Sequence, residues 1–174
     1  MIKKGVLVTL FFLVFSVAVV QAIGKGQQNT DSVQSESTAI TDVSIKASNF
    51  TLTTPEGKKV NLADYQGKKV ILNFWATWCP PCKAEMPALQ DLYERLNGHI
   101  EILAINIDPE NDVSKFVKEH KLTFPILLDQ TGKVNESYSI LSVPTTFLLD
   151  ENGTIIKKQI GAMTLEQMEA FIAT

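Results

Sequence analysis

A chain of 174 residues, 45% hydrophobic and 20% charged, has room for one globular domain and an appendage. Its net charge of −3 and the lack of any basic cluster argue against a nucleic-acid partner. No internal repeat is present.

Residues 1–23 read as a targeting element. Lys3 and Lys4 precede an apolar run from Gly5 to Ile23, interrupted only by Thr9, Ser16 and Gln21. As a helix this run would span about 28 Å, close to the roughly 30 Å of a bilayer's hydrocarbon core. The lysines should stay cytoplasmic, which places the rest of the chain outside. A cleaved signal peptide competes, with Val20-Gln21-Ala22 as a passable site. The run is long for a signal, so a single-pass anchor is favoured, and no cysteine near its end offers a lipid attachment point. Residues 24–46 are polar, rich in Gln, Ser, Thr and Asn, and without an aromatic residue. Such a stretch buries too little to order itself and reads as a flexible tether, on the order of 25 Å long.

The domain is expected at 47–174. Asn49–Thr53 and Lys59–Leu62 flank Thr54-Pro55-Glu56-Gly57, a hairpin pattern. Then comes VILNFWATWCPPCKAEMP, Val70 to Pro87, which holds both cysteines of the chain. It predicts an apolar strand (Val70–Trp75), a turn, and a helix opened by Cys79-Pro80-Pro81-Cys82. Cys79 at the helix entrance would meet unpaired backbone N–H groups and the positive end of the dipole, which favour a thiolate. Pro80 suits the first helical turn because its missing N–H had no intrahelical partner. A thiolate with a second thiol in reach is the minimal device for thiol–disulfide exchange. A structural staple across so short a loop would remove little chain entropy. Zinc wants about four ligands, and His99 and His120 are single residues without a ligand pair. Covalent haem attachment wants histidine where Lys83 stands.

Along the helix, Cys82, Met86, Leu89, Tyr93 and Leu96 fall on one narrow arc, and Glu85 lies inside it. A carboxylate there either complements the dipole from the surface or is buried one turn from Cys82. Pro87 should kink the helix and Asn97-Gly98 should end it. Ile100–Ile107 follows as a buried strand, Val113, Phe116 and Val117 as a short helix, Phe124–Leu128 as a strand, and Val134–Tyr138 as a helical turn. Thr145–Leu149 and Thr154–Gln159 flank Glu151-Asn152-Gly153, an antiparallel hairpin signal. Thr164 with Gln167 reads as a capping box for a last helix carrying Leu165, Met168, Phe171 and Ile172. The fold class is therefore α/β, a mixed central sheet flanked by helices. On its own, Pro144 before a strand is an edge or turn feature.

WCPPC after an apolar strand, Pro87 five residues beyond Cys82, and Val143-Pro144 before a later strand together resemble the thioredoxin fold. The longer pattern FTLTTPEGKKVNLADYQGKKVILNFWATWCPPCKAEMP resembles the TlpA/ResA-type membrane-anchored thiol–disulfide oxidoreductases. The resemblance implies the N-terminal hairpin and a central insertion around Phe124–Tyr138. It implies a cis Pro144 beside the redox pair, with Val143 offering its backbone to an extended substrate peptide. It also implies a functional Glu85, and an anchor rather than a signal. The expected catalytic residues are thus Cys79, Cys82 and Glu85, and the expected substrate-binding residues Trp78, Pro80, Pro81, Val143 and Pro144. No metal or cofactor is expected beyond a redox-active Cys79–Cys82 disulfide.

The implied activity is extracytoplasmic reduction of disulfides in exported proteins by a monomer at the cell membrane. Apocytochrome c is the leading substrate, and an integral-membrane thiol carrier of the CcdA/DsbD type the implied donor. A spore-envelope or other exported protein is the alternative substrate. A peroxiredoxin-type thiol peroxidase shares the fold, but its pattern wants Thr and Pro where Ala76 and Leu72 stand. A copper-delivery module would need wider cysteine spacing and a ligand histidine.

Overall fold

The computed structural model describes residues 45–173, so the expected anchor and the expected tether up to residue 44 lie outside the described residues. The strands are β1 (Ile45–Lys46), β2 (Thr51–Thr53), β3 (Lys59–Asn61), β4 (Lys69–Trp75), β5 (Ile100–Asn106), β6 (Ile126–Leu128), β7 (Thr145–Leu149) and β8 (Thr154–Ile160). They form one eight-stranded sheet in the order β1-β8-β7-β4-β5-β6-β2-β3. The α-helices of the described residues are α1 (Pro80–Leu96), α2 (Val113–Glu119), α3 (Lys133–Ser137) and α4 (Leu165–Ile172). Among the described residues no helix is long and apolar enough to cross a membrane.

Strand β4 lies at the centre, parallel to β5 and antiparallel to β7. Buried on both faces, it reads as a continuous apolar run with one polar interruption, Asn73. Its alternation divides the core. Ile71 and Trp75 pack with α1, α2 and α4, while Val70, Leu72 and Phe74 pack with the 3-10 turn at Leu62–Tyr65 and with α3. The hairpin β2–β3 pairs with β6, so the N-terminal hairpin and the central insertion together extend the sheet beyond β5. Tyr138 ties the same region down, its hydroxyl donating to the Ser48 carbonyl at 2.7 Å.

The elements fall where the sequence pattern puts them, with two differences. Ile45 and Lys46, assigned to the tether, form an edge strand on β8 because Ala47 N donates to Gly153 O at 2.9 Å and Lys46 Nζ reaches the Asn152 carbonyl. Strand β6 begins at Ile126 rather than Phe124, since Pro125 has no N–H for the ladder and only its carbonyl accepts, from Ala104 N at 3.0 Å. Helix α1 runs through Pro87, which sits on its exposed side, and ends where expected, at Asn97 in the left-handed region (φ 45°).

Candidate active site

The site lies at the C-terminal end of β4, where the chain turns from sheet to helix. Asp108, buried just beyond β5, fastens that turn. Its carboxylate accepts the Thr77 N–H at 3.0 Å on both oxygens, the Thr77 hydroxyl, Asn106 Nδ2 at 2.6 Å and Asn111 Nδ2 at 3.0 Å. The next residues, Trp78 and Cys79, are thereby held in register with the sheet.

Cys79 is the N-cap of α1 and is bonded to Cys82 in a disulfide. Pro80 and Pro81 occupy the first two helical positions and can donate nothing, so the first free amide of the helix is that of Cys82. It donates to Cys79 Sγ at 3.2 Å. This gives Pro81 a physical consequence that sequence pattern left unassigned. Both cysteines are buried, Cys82 fully and Cys79 with 2% exposure, so exposure alone barely separates them. Their surroundings do. Cys79 Sγ lies 3.5 Å from the Val143 carbonyl oxygen, whereas Cys82 lies one turn into α1, on the buried face it shares with Glu85, Met86 and Leu89.

The Val143-Pro144 peptide bond is cis, and the Pro144 carbonyl accepts Gly161 N–H at 2.8 Å. Pro144 is buried and Val143 half-buried. Beside them two apolar side chains face solvent, Trp78 at 62% exposure and Leu141 at 98%. Trp75 is buried in the core, so the two tryptophans divide as the sequence suggested. His99 and His120 are both at the surface, and the His120 ring stacks on Phe116 at 3.9 Å.

Glu85, one turn after Cys82 on the same helix face, is 2% exposed. Oε1 accepts the Met163 N–H at 3.0 Å and Oε2 accepts from Asn73 Nδ2 at 3.4 Å. Burial pushes its pKa up from 4.5 to about 7, and the two hydrogen bonds only partly oppose this. The carboxyl group can therefore exchange a proton near neutral pH. Sequence pattern found Glu85 but missed Asn73, Thr146 and Asp108. A single Asn inside VILNFW was a legible signal, because a central strand buries a polar side chain only when something meets it.

The AhpC/TSA family model matches residues 43–158. The thiol–disulfide oxidoreductase ResA of Bacillus thuringiensis subsp. konkukian is 40% identical over 134 residues, covering 75% of this chain and 77% of that protein. The thioredoxin-like protein YneN of Bacillus subtilis is 44% identical over 128 residues, covering 71% and 75%. The crystal structure of StoA from Bacillus subtilis superposes with a TM-score of 0.64 at 38% identity, covering 72% of this chain and 96% of that one.

Proposed function

Since the chain belongs to the AhpC/TSA family and, within it, is a thioredoxin-fold thiol–disulfide oxidoreductase of the ResA type acting on protein substrates, we propose the finer reading that it works as a membrane-tethered extracytoplasmic reductant. Its substrates would be disulfides of exported proteins, apocytochrome c first among them. An integral-membrane thiol carrier would restore the dithiol, and the N-terminal segment would hold the monomeric domain at the outer face of the membrane.

The observation that carries this reading is Cys79 at a helix N-cap, 3.5 Å from the carbonyl of Val143 ahead of a cis proline. An extended peptide adding to the Val143 backbone would bring its own sulfur to Cys79, and Trp78 and Leu141 offer apolar surface beside that edge. In the reduced protein the Cys79 thiolate attacks one sulfur of the substrate disulfide and expels the other as a thiolate. Cys82 then passes its proton to Glu85, attacks Cys79 Sγ, and expels the second substrate thiolate. Two electrons leave the protein dithiol, which becomes the Cys79–Cys82 disulfide, and the substrate is left as a dithiol.

The test is single-turnover reduction of an oxidised CxxCH peptide by the reduced domain, against an unrelated disulfide peptide. Faster reduction of the CxxCH peptide supports apocytochrome c. Equal or slower reduction assigns the site to another exported substrate. A peroxidase is disfavoured by Ala76, whose backbone carbonyl accepts the Cys79 N–H at 3.3 Å where that chemistry wants a threonine hydroxyl. Peroxide consumption exceeding disulfide reduction would reverse that judgement.

A further inference from the structure

The two faces of β4 alternate, and Asn73 shares the face of Ile71 and Trp75, toward α1. Its antiparallel partner on β7 is Thr146. Asn73 Nδ2 donates to Thr146 Oγ1 at 3.0 Å and to Glu85 Oε2 at 3.4 Å. Asn73 Oδ1 has no hydrogen-bond partner among the described residues. Asn73, Thr146 and Glu85 are 0%, 1% and 2% exposed, so water does not freely replace a missing partner.

With both amide hydrogens used and the amide oxygen unused, this orientation favours an ionised Glu85, which accepts on both oxygens. Oε1 is taken by the Met163 N–H, so an added proton belongs on Oε2. There its hydrogen would find Asn73 offering only a donor, and an unaccepted hydroxyl in a buried site is costly. A half-turn of the amide removes the conflict. Oδ1 then accepts from the Glu85 Oε2 hydroxyl and from the Thr146 hydroxyl, whose hydrogen is free to rotate. Either orientation makes two hydrogen bonds and leaves one amide atom unpartnered.

We propose that Asn73 is a positioning residue that inverts its side-chain amide as Glu85 gains or loses its proton, donating to the carboxylate and accepting from the carboxylic acid. The inference rests on the reading of Glu85 as proton acceptor for Cys82, and its test is separable from that reading. A carboxyl partnered by fixed donors alone would have its ionised form favoured by both hydrogen bonds and its acid form by neither. An invertible amide lets it take up and release a proton within one catalytic cycle without moving the backbone.

The charged groups around Glu85 leave this exchange to Asn73, Thr146 and Met163. On α1, Lys83 is exposed, while Cys79 and Cys82 turn to the same core and titrate only when reduced. β4 carries Lys69 at its start and β7 carries no charge. On α4, Glu166 and Glu169 are exposed, and Glu169 pairs with Arg95. Lys157 of β8 is bound to the carbonyls of Phe171 and Ala173 at the α4 C-terminus.

The experiment follows the Asn73 side-chain amide by proton–nitrogen NMR in the oxidised protein, from about pH 5 to about pH 9. The resonance should titrate with the midpoint of Glu85, about 7. In Glu85→Gln the glutamine amide donates permanently to Asn73 Oδ1, so the resonance should hold one position throughout. Thr146→Val keeps the shape but can neither accept nor donate, and should displace the midpoint by about one pH unit, the scale of one hydrogen bond to a charge. Thr146→Ser should restore it. An Asn73 amide that does not titrate, or that titrates equally in Glu85→Gln, overturns the proposal, as does an unchanged midpoint in Thr146→Val. Mixed-disulfide kinetics in Glu85→Gln test the proton-acceptor reading alone, so the two can fail independently.

Discussion

Replacing Glu85 with glutamine removes one titration from the folded protein, and the size of its effect on stability follows from the site. In the unfolded chain the carboxyl ionises at its ordinary 4.5, and in the fold burial holds it neutral to about 7. Between those values the folded state binds more protons than the unfolded state, so stability falls as pH rises. The contribution is fully present below pH 4.5, declines by about 1.4 kcal/mol per pH unit, and is gone above about 7, a total of about 3 kcal/mol. The other carboxylates titrate in both proteins and cancel in the difference. Urea unfolding of oxidised wild-type and Glu85→Gln proteins between about pH 4 and about pH 8 should therefore show the variant gaining about 3 kcal/mol on the wild type across that range. Keeping the disulfide closed excludes cysteine ionisation. Parallel curves through the whole interval would mean that Glu85 titrates as an exposed carboxylate, and the proton-acceptor assignment would go with it.

The proposed order of attack predicts that Cys82→Ala accumulates a mixed disulfide with substrate through Cys79 and that Cys79→Ala accumulates none. Equal trapping by both would reverse or erase the assignment. Glu85→Gln should form the mixed disulfide normally but resolve it more slowly, by roughly 100- to 10,000-fold if the carboxylate acts as a general base. In the wild type that step should accelerate as pH rises through about 7, read by stopped-flow against single-turnover controls. Asp108→Ala leaves the Thr77 amide and the Asn106 side chain without their buried acceptor, and should cost about 3 kcal/mol or more in urea unfolding. An unaltered midpoint would show that the turn is held by something else. The full chain should stay with membranes through an alkaline carbonate wash, whereas recovery of a soluble chain starting near Ile23 would identify a cleaved signal.

The redox turn was legible because its signals are local. Helix capping, two prolines and an apolar strand all lie within eighteen consecutive positions, Val70 to Pro87, and each acts on its own neighbours. Glu85 was legible as a conflict between its charge and its arc, but helical periodicity could not say whether it was buried or swung outward. That depended on Met163, seventy-eight positions away, whose amide gives the carboxylate a reason to stay inside. Asn73 and Thr146 were invisible as a pair because strand register is a property of the folded sheet. Pro144 taken alone read as a strand boundary, and only resemblance placed it beside Cys79. The edge strand at Ile45 and Lys46 was missed because two residues carry no periodicity, and the backbone bonds from β8 make the strand.

A carboxyl group poised near neutrality would serve the proposed exchange in both directions of electron flow. In substrate reduction Cys82 must lose a proton late, from an apolar pocket that favours the thiol, and an ionised Glu85 can receive it. In re-reduction the incoming thiolate attacks Cys79 Sγ and the departing group is Cys82. A thiolate released into that same pocket would be a poor leaving group unless protonated as it leaves, and a neutral Glu85 can supply the proton. A carboxyl at its ordinary pKa would hold no proton for the second step, and one locked in its acid form could take none in the first. For one and the same partner, attack of Cys82 on its mixed disulfide and the reverse displacement of Cys82 share one transition state. A substitution at Glu85 should therefore slow both by the same factor and leave that partner's equilibrium with the protein disulfide tied to the thiols alone. Unequal slowing of the two directions, with the equilibrium unmoved, cannot occur for a single shared step. Its observation, with a single partner followed in both directions, would mean that the step being read is not the Cys82 displacement, and Glu85 would lose its place in that step.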